Sequence, residues 1–190
     1  MSLVWIRRFA AVSLALMILA PSLRAMGRNQ NDESALSNGE VEKIREARLV
    51  PADCIELFVK FLDLRIEEVN KLYAKPRRPG REEDTRDLIQ QFASIADELG
   101  DNLDDYGPRH ADLRKILPKL LEGTERWSSA LKSVPEKPAY SVDRKLALES
   151  LRDLRESTTQ LVADQEAWFK AHPPEKKKPR QEPGPIDILR

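Results

Sequence analysis

Apolar side chains between Ala52 and Ala74 recur at every third or fourth position. Ile55, Phe58, Val59, Leu62, Ile66, Val69 and Tyr73 form one stripe, Leu57, Phe61, Leu64 and Leu72 widen it, and Asp63, Glu67, Glu68 and Lys71 fall outside it. A backbone with that period brings its apolar groups together only as an α-helix, and such a helix needs partners to cover its apolar face. Three later stretches repeat the pattern. Leu88, Ile89, Phe92, Ile95, Ala96, Leu99 and Leu103 share a face of a helix expected from about Glu82 to Tyr106. Leu113, Ile116, Leu117, Leu120, Leu121, Thr124, Trp127, Leu131 and Val134 mark the third helix, with a kink expected at Pro118. Ala147, Leu151, Leu154, Thr158, Leu161, Val162, Trp168 and Phe169 mark the last, from an N-cap at Ser141 to Ala171 or His172.

The breaks are as legible as the helices. Pro51 suits a first helical turn, with Asp53 beside it at the positive end of the dipole. The run KPRRPGRE at 75–82, the pair Gly107-Pro108 and the run PEKPAYS at 135–141 cannot continue a helix. Connections this short make consecutive helices antiparallel neighbours. The expected fold is therefore all-α: an antiparallel up-down-up-down four-helix bundle over residues 51–172, with the first long helix touching the last. Seven glycines and 6% aromatic content argue against a sandwich or barrel.

The ends read differently. Arg7 and Arg8 precede the uncharged run Phe9 to Ala20, which is followed by Pro21 and a small residue at Ala25, so residues 1–26 are expected to be a cleaved secretory signal peptide, with an uncleaved anchor as the alternative. Removing Arg7, Arg8 and Arg24 from a chain with 32 basic and 32 acidic side chains leaves a net charge of −3, which is unsuited to nucleic acid. Residues 27–50 are expected to be a flexible spacer carrying a short helix from Glu40 to Leu49. Residues 173–190, rich in proline and lysine, are expected to form a disordered tail.

Catalytic and cofactor patterns fail one by one. His110 and His172 are the only histidines, and Gly107 and Phe169 stand three residues before them, so no Glu-x-x-His of a di-iron bundle exists. There is no C-x-x-C-H for haem, and no G-x-S-x-G setting for a nucleophile. The lone Cys54 excludes an internal disulfide. The acids Asp97, Asp101, Asp104 and Asp105 are out of register with a calcium loop and read as a solvated face. The basic turn Lys75, Arg77, Arg78 and Arg81 is neutralised by Glu82, Glu83 and Asp84 beside it, and Trp127, Trp168 and Phe169 read as core.

One site follows from the expected topology. It gathers Asp53, Cys54, Asp104, Asp105, His110 and His172 at one end of the bundle, where Cys54, Asp105, His110 and His172 supply the ligand types of a zinc site. No cofactor is expected otherwise. The function expected is an exported helical interaction or structural module of the bacterial periplasm or cell envelope, without catalytic activity. Its partner would be a cell-envelope protein, with no nucleic acid and, after signal cleavage, no membrane. Two other readings stand beside it: a periplasmic chaperone or stress-binding protein with an open cleft lined by Phe58, Phe61 or Trp127, and a metal- or small-ligand-binding bundle.

Overall fold

The computed structural model describes residues 35–173, and the signal-peptide and tail assignments, like residues 27–34 of the spacer, lie outside them. The described chain is all-helical: α1 Asn38–Ala47, α2 Pro51–Ala74, α3 Arg81–Tyr106, α4 Leu117–Ser133 and α5 Ser141–Ala171, with no strand among the described residues. Among these residues no helix is long and apolar enough to cross a membrane.

Pairings between side chains fix the direction of each helix. Arg65 meets Gln91 and Tyr73 lies under Arg81, so α2 and α3 run antiparallel. Arg155 reaches Thr124 and Glu125, while Arg144 reaches Val134, so α4 and α5 do the same. Across the two hairpins the sense is opposite. Glu56 pairs with Lys119 and Asp63 with Arg126, which makes α2 and α4 parallel, and Gln90 donates to Asp143, near the starts of α3 and α5, which are parallel neighbours too. Directions alternate along the chain from α2 to α5.

The lateral order does not follow the expectation. α3 lies beside α5 and α2 beside α4, whereas α2 and α5, like α3 and α4, stand diagonally, the latter two meeting across the core through Phe92 and Trp127 with ring centroids 5.9 Å apart. The expected ring, with the first long helix touching the last, is therefore corrected. The reason lies in residues 107–116, a connection of about ten residues where the pair Gly107-Pro108 alone suggests an immediate stop and restart. At about 3.3 Å per extended residue it can span roughly 30 Å, against a diagonal of roughly 14 Å between helices 8–10 Å apart. Crossing the diagonal is open to it.

Two further boundaries moved for local reasons. Leu113 and Ile116 pack in the turn before α4 instead of inside the helix, and Pro118 sits in its first turn, where its missing N–H is not needed, so it starts the helix instead of kinking it. Ser141 does not cap α5; the N-cap is Tyr140, whose hydroxyl bonds the Pro135 carbonyl and, at 2.6 Å, the Tyr73 hydroxyl. Burial and the neighbouring Tyr73 hydroxyl push the Tyr140 hydroxyl well above the ordinary tyrosine range. Between hairpins, the buried Trp127 donates its indole N–H to Asp63 at 2.6 Å.

The expected spacer is in part ordered structure. Ser37 caps α1 in a capping box with Glu40, and Leu36 and Ile44 are buried. Arg65 of α2 grips both oxygens of Glu40, at 2.9 and 2.7 Å, and also donates to the Ala35 carbonyl and to Gln91. This bidentate pair, with both side chains 12% exposed, holds the Glu40 carboxyl down to about 2. Residues 35–47 therefore belong to the packed body.

Candidate functional site

The end of the molecule where α3 stops and α5 ends carries the densest chemistry, and three local features build it. Trp168 and His172 stand four apart on α5, so their rings meet on one helix face, stacked at 4.5 Å and 18°. His110 reaches the same indole from the 107–116 crossover, at 4.3 Å and 12°. Two imidazoles that close to one indole would overlap if they shared a face, so Trp168 lies between them. Phe169 meets the indole edge-on at 4.8 Å, and the Arg114 guanidinium lies 3.9 Å above the Phe169 ring.

The crossover is held in place from α5. Gln165, buried to 3% exposure, donates to the Ala111 carbonyl at 2.6 Å and accepts from the Leu113 N–H at 3.0 Å, so a side-chain amide supplies the hydrogen bonds that an irregular buried backbone lacks. His110 has φ +51°, the left-handed region that non-glycine residues rarely adopt, and this bend presents its ring to Trp168. The sequence signal for Gln165 is faint: a polar residue at a stripe position between Leu161 and Trp168.

Around the stack runs an open groove of about 1390 Å³ along α5 from Arg152 to His172, flanked by Leu103, Asp104, Gly107 and Pro108. Arg152 pairs with Asp153, with Glu156 adding to its electrostatic surroundings, and Arg155 pairs with Glu125, which leaves Asp104 and Asp164 on the groove outside any ion pair among the described residues. The groove is acidic, and it lies at the end of α3 where unpaired helix carbonyls add negative character. No basic residue stands in the last turn of α3.

The expected metal-site residues are at this end of the fold but do not converge. Cys54 is fully buried, against the Tyr106 hydroxyl, which burial first and the thiol second push upward. His110 and His172 are exposed and separated by the indole, Asp105 pairs with Arg109, and Asp53 and Asp104 face solvent. Among the described residues no group of three or more His, Cys, Asp or Glu side chains is placed to hold a metal ion. A single plane separates the two imidazoles, and burial separates both from the thiol.

Other readings of single residues can be placed directly. Asp97, Asp101, Asp104 and Asp105 are all exposed. In the basic turn Arg77 pairs with Glu82 at 3.0 Å and Arg78 with Asp84, while Arg81 lies over the Tyr73 ring at 4.8 Å with its buried Nε unpartnered. Trp127 is core, as expected, but Trp168 and Phe169 are only half-buried, because α5 outruns α4 and only the crossover covers its last turns.

Known families, curated proteins and solved structures were compared with this chain, and none matches. The functional reading rests on its own chemistry.

Proposed function

We propose that the protein is an exported, non-catalytic helical module, an up-down-up-down bundle whose work is to bind a cell-envelope partner, with the α5 groove as its contact face. One observation carries this reading: Trp168 and the two histidines stacked on it stay half-buried or exposed in an open groove, with the half-buried Phe169 against the indole, although the core beside them is sealed. Half-exposed aromatics beside arginine and carboxylates are the composition of a contact surface, with large area and little rotamer freedom to lose. The chaperone reading called for an open cleft at Phe58, Phe61 or Trp127, and these side chains are at most 2% exposed. The metal reading called for converging ligands, and no such group is found among the described residues.

The test uses a photo-reactive amino acid at Gln160, on the groove, and separately at Lys60, on the outer surface of α2, in the protein expressed in its host. Cross-linked species of defined mass are expected at position 160 and not at 60. Equal labelling at both, or none at 160, refutes the groove as contact face. Export is checked on the same material: the chain recovered outside the cytoplasm should begin near residue 27, and a chain retained inside with Met1 intact refutes export.

A further inference from the structure

The large apolar side chains left open to water concentrate on one hairpin. Of the six that are exposed among the described residues, Val41, Leu49, Val50 and Leu64 belong to α1, to α2 or to the three residues that join them, and Leu49 is 92% exposed. We propose that α1 is exchanged between two copies of this chain: residues 48–50 open, and each copy seats its α1 on α2 of the other. The α5 groove plays no part in this contact.

The seat is defined by the helix that occupies it. α1 folds back on α2, so that Glu40 before the hinge meets Arg65 well beyond it, and the same guanidinium takes the Ala35 carbonyl. These bonds join α1 to α2 without using the hinge, so α1 of a second copy can make them unchanged. Because α2 is the helix on which α1 packs among the described residues, α1 can leave without parting the four long helices. Opening the hinge breaks the backbone bond of its turn, from the Val50 N–H to the Ala47 carbonyl at 2.9 Å. Val50 is already extended, at φ −123° and ψ 93°, as the following Pro51 demands, so the change falls on Arg48 and Leu49.

The gain lies at the hinge itself. In a two-fold pair the opened hinges run side by side, which brings Leu49 and Val50 of one copy against the same residues of the other. A single chain leaves them in water. The closed and exchanged forms otherwise share their contacts, so this burial competes with the effective concentration of α1 at its own seat, on the order of millimolar for a short connection. Covering one leucine changes an equilibrium constant by about tenfold or more, and two of them bring the dimer to about 10 µM.

The test reverses the ion pair in two separate chains, purified from the host. Glu40→Arg and Arg65→Glu each set like charges against one another at the seat. In a mixed exchanged dimer the arginine introduced at position 40 meets the carboxylate introduced at position 65, and the unaltered Glu40 of one chain meets the unaltered Arg65 of the other. Light scattering at about 100 µM, above the dissociation constant reasoned from linkage, should show the unaltered chain as a dimer. Native mass spectrometry of the two variants together should show mixed dimers at least tenfold above their statistical share. An unaltered chain that stays monomeric overturns the proposal, and so does a mixture with no preference for mixed dimers. Should either variant fail to fold, a nitroxide on Lys43→Cys decides, since Lys43 is exposed and Cys54 is fully buried and takes up no label. When labelled chains are mixed with ¹⁵N chains, broadening is expected at residues 61–69 of the ¹⁵N chain. Broadening confined to its outer faces would mean that the copies lie side by side with each α1 at home, and overturns the exchange, as does no broadening at all. Cross-linking at Gln160 reads the α5 groove separately, so either proposal can fail without the other.

Discussion

Replacing Glu40 by Gln removes the charge that ties α1 to the rest of the protein while keeping the shape of the side chain. Its carboxyl, ordinarily at 4.5, is held at about 2 by the Arg65 hydrogen bonds first, opposed by burial and aided by Ser37. At about 1.4 kcal/mol per pH unit, that difference corresponds to roughly 3 kcal/mol favouring the docked state when the carboxyl is ionised. Although both side chains are 12% exposed, Glu40 lies at the edge of the packed body and is half-buried as a residue, so solvent screening takes part of this away. Glu40→Gln also leaves the Arg65 guanidinium partly buried without a counter-charge, a change that costs about 3 kcal/mol where pairs are fully buried. Because α2 is the helix on which α1 packs among the described residues, the loss falls on α1 docking instead of on the whole fold. The expected result is about a hundredfold faster hydrogen exchange at amides of residues 40–47, with α3 and α5 unchanged. The sign with pH follows from a depressed carboxyl: the stabilisation is complete above about pH 4.5 and is lost as pH falls toward 2. Wild-type α1 should therefore open selectively in acid, and the variant should show no such step between pH 4.5 and 2. Exchange within threefold of wild type at pH 7 would refute the reasoning and assign α1 docking to Leu36 and Ile44 alone.

Gly123→Ala tests packing against propensity: Ala is ordinarily better by about 1 kcal/mol inside a helix, but here a Cβ would stand 2.8 Å from Trp127 Cη2, in the sealed core. Overpacking of about 1–3 kcal/mol should prevail, and a melting temperature above wild type would show that the indole yields freely. Gln165→Leu removes both hydrogen bonds that the Gln165 amide makes with the crossover and leaves the buried Leu113 N–H and the Ala111 carbonyl unpaired. A loss of about 2–4 kcal/mol in urea unfolding is expected, and a loss under 1 kcal/mol would mean that water replaces the amide. Trp127→Phe removes the indole donor to Asp63 and opens space in the core. It should lower stability by about 2–3 kcal/mol, and an unchanged unfolding midpoint would refute the role of that bond between hairpins.

What the sequence determined by itself is the helical content and most helix ends. Period, proline and glycine are local signals, and they placed the ends of α2, α3 and α5 to within a residue, because each hydrogen bond in a helix closes within four positions. Ser37 and Glu40 formed a capping box that was equally local, yet residues 35–39 read as spacer because the long-range grip of Arg65 on Glu40 leaves no mark in the polar run around them.

Which helices lie side by side was decided only in three dimensions. Four apolar stripes close a core equally well in either ring order, and the choice was made by the length of the 107–116 crossover and its anchors, Gln165 and Trp168, which stand more than fifty positions away from their partners. For the same reason the candidate site was half legible. The sequence brought His110 and His172 to one end, but a list of ligand types does not contain the indole that stands between them, nor the burial that removes Cys54. Side-chain chemistry is written residue by residue; the distances that turn it into a metal site or a contact surface belong to packing alone.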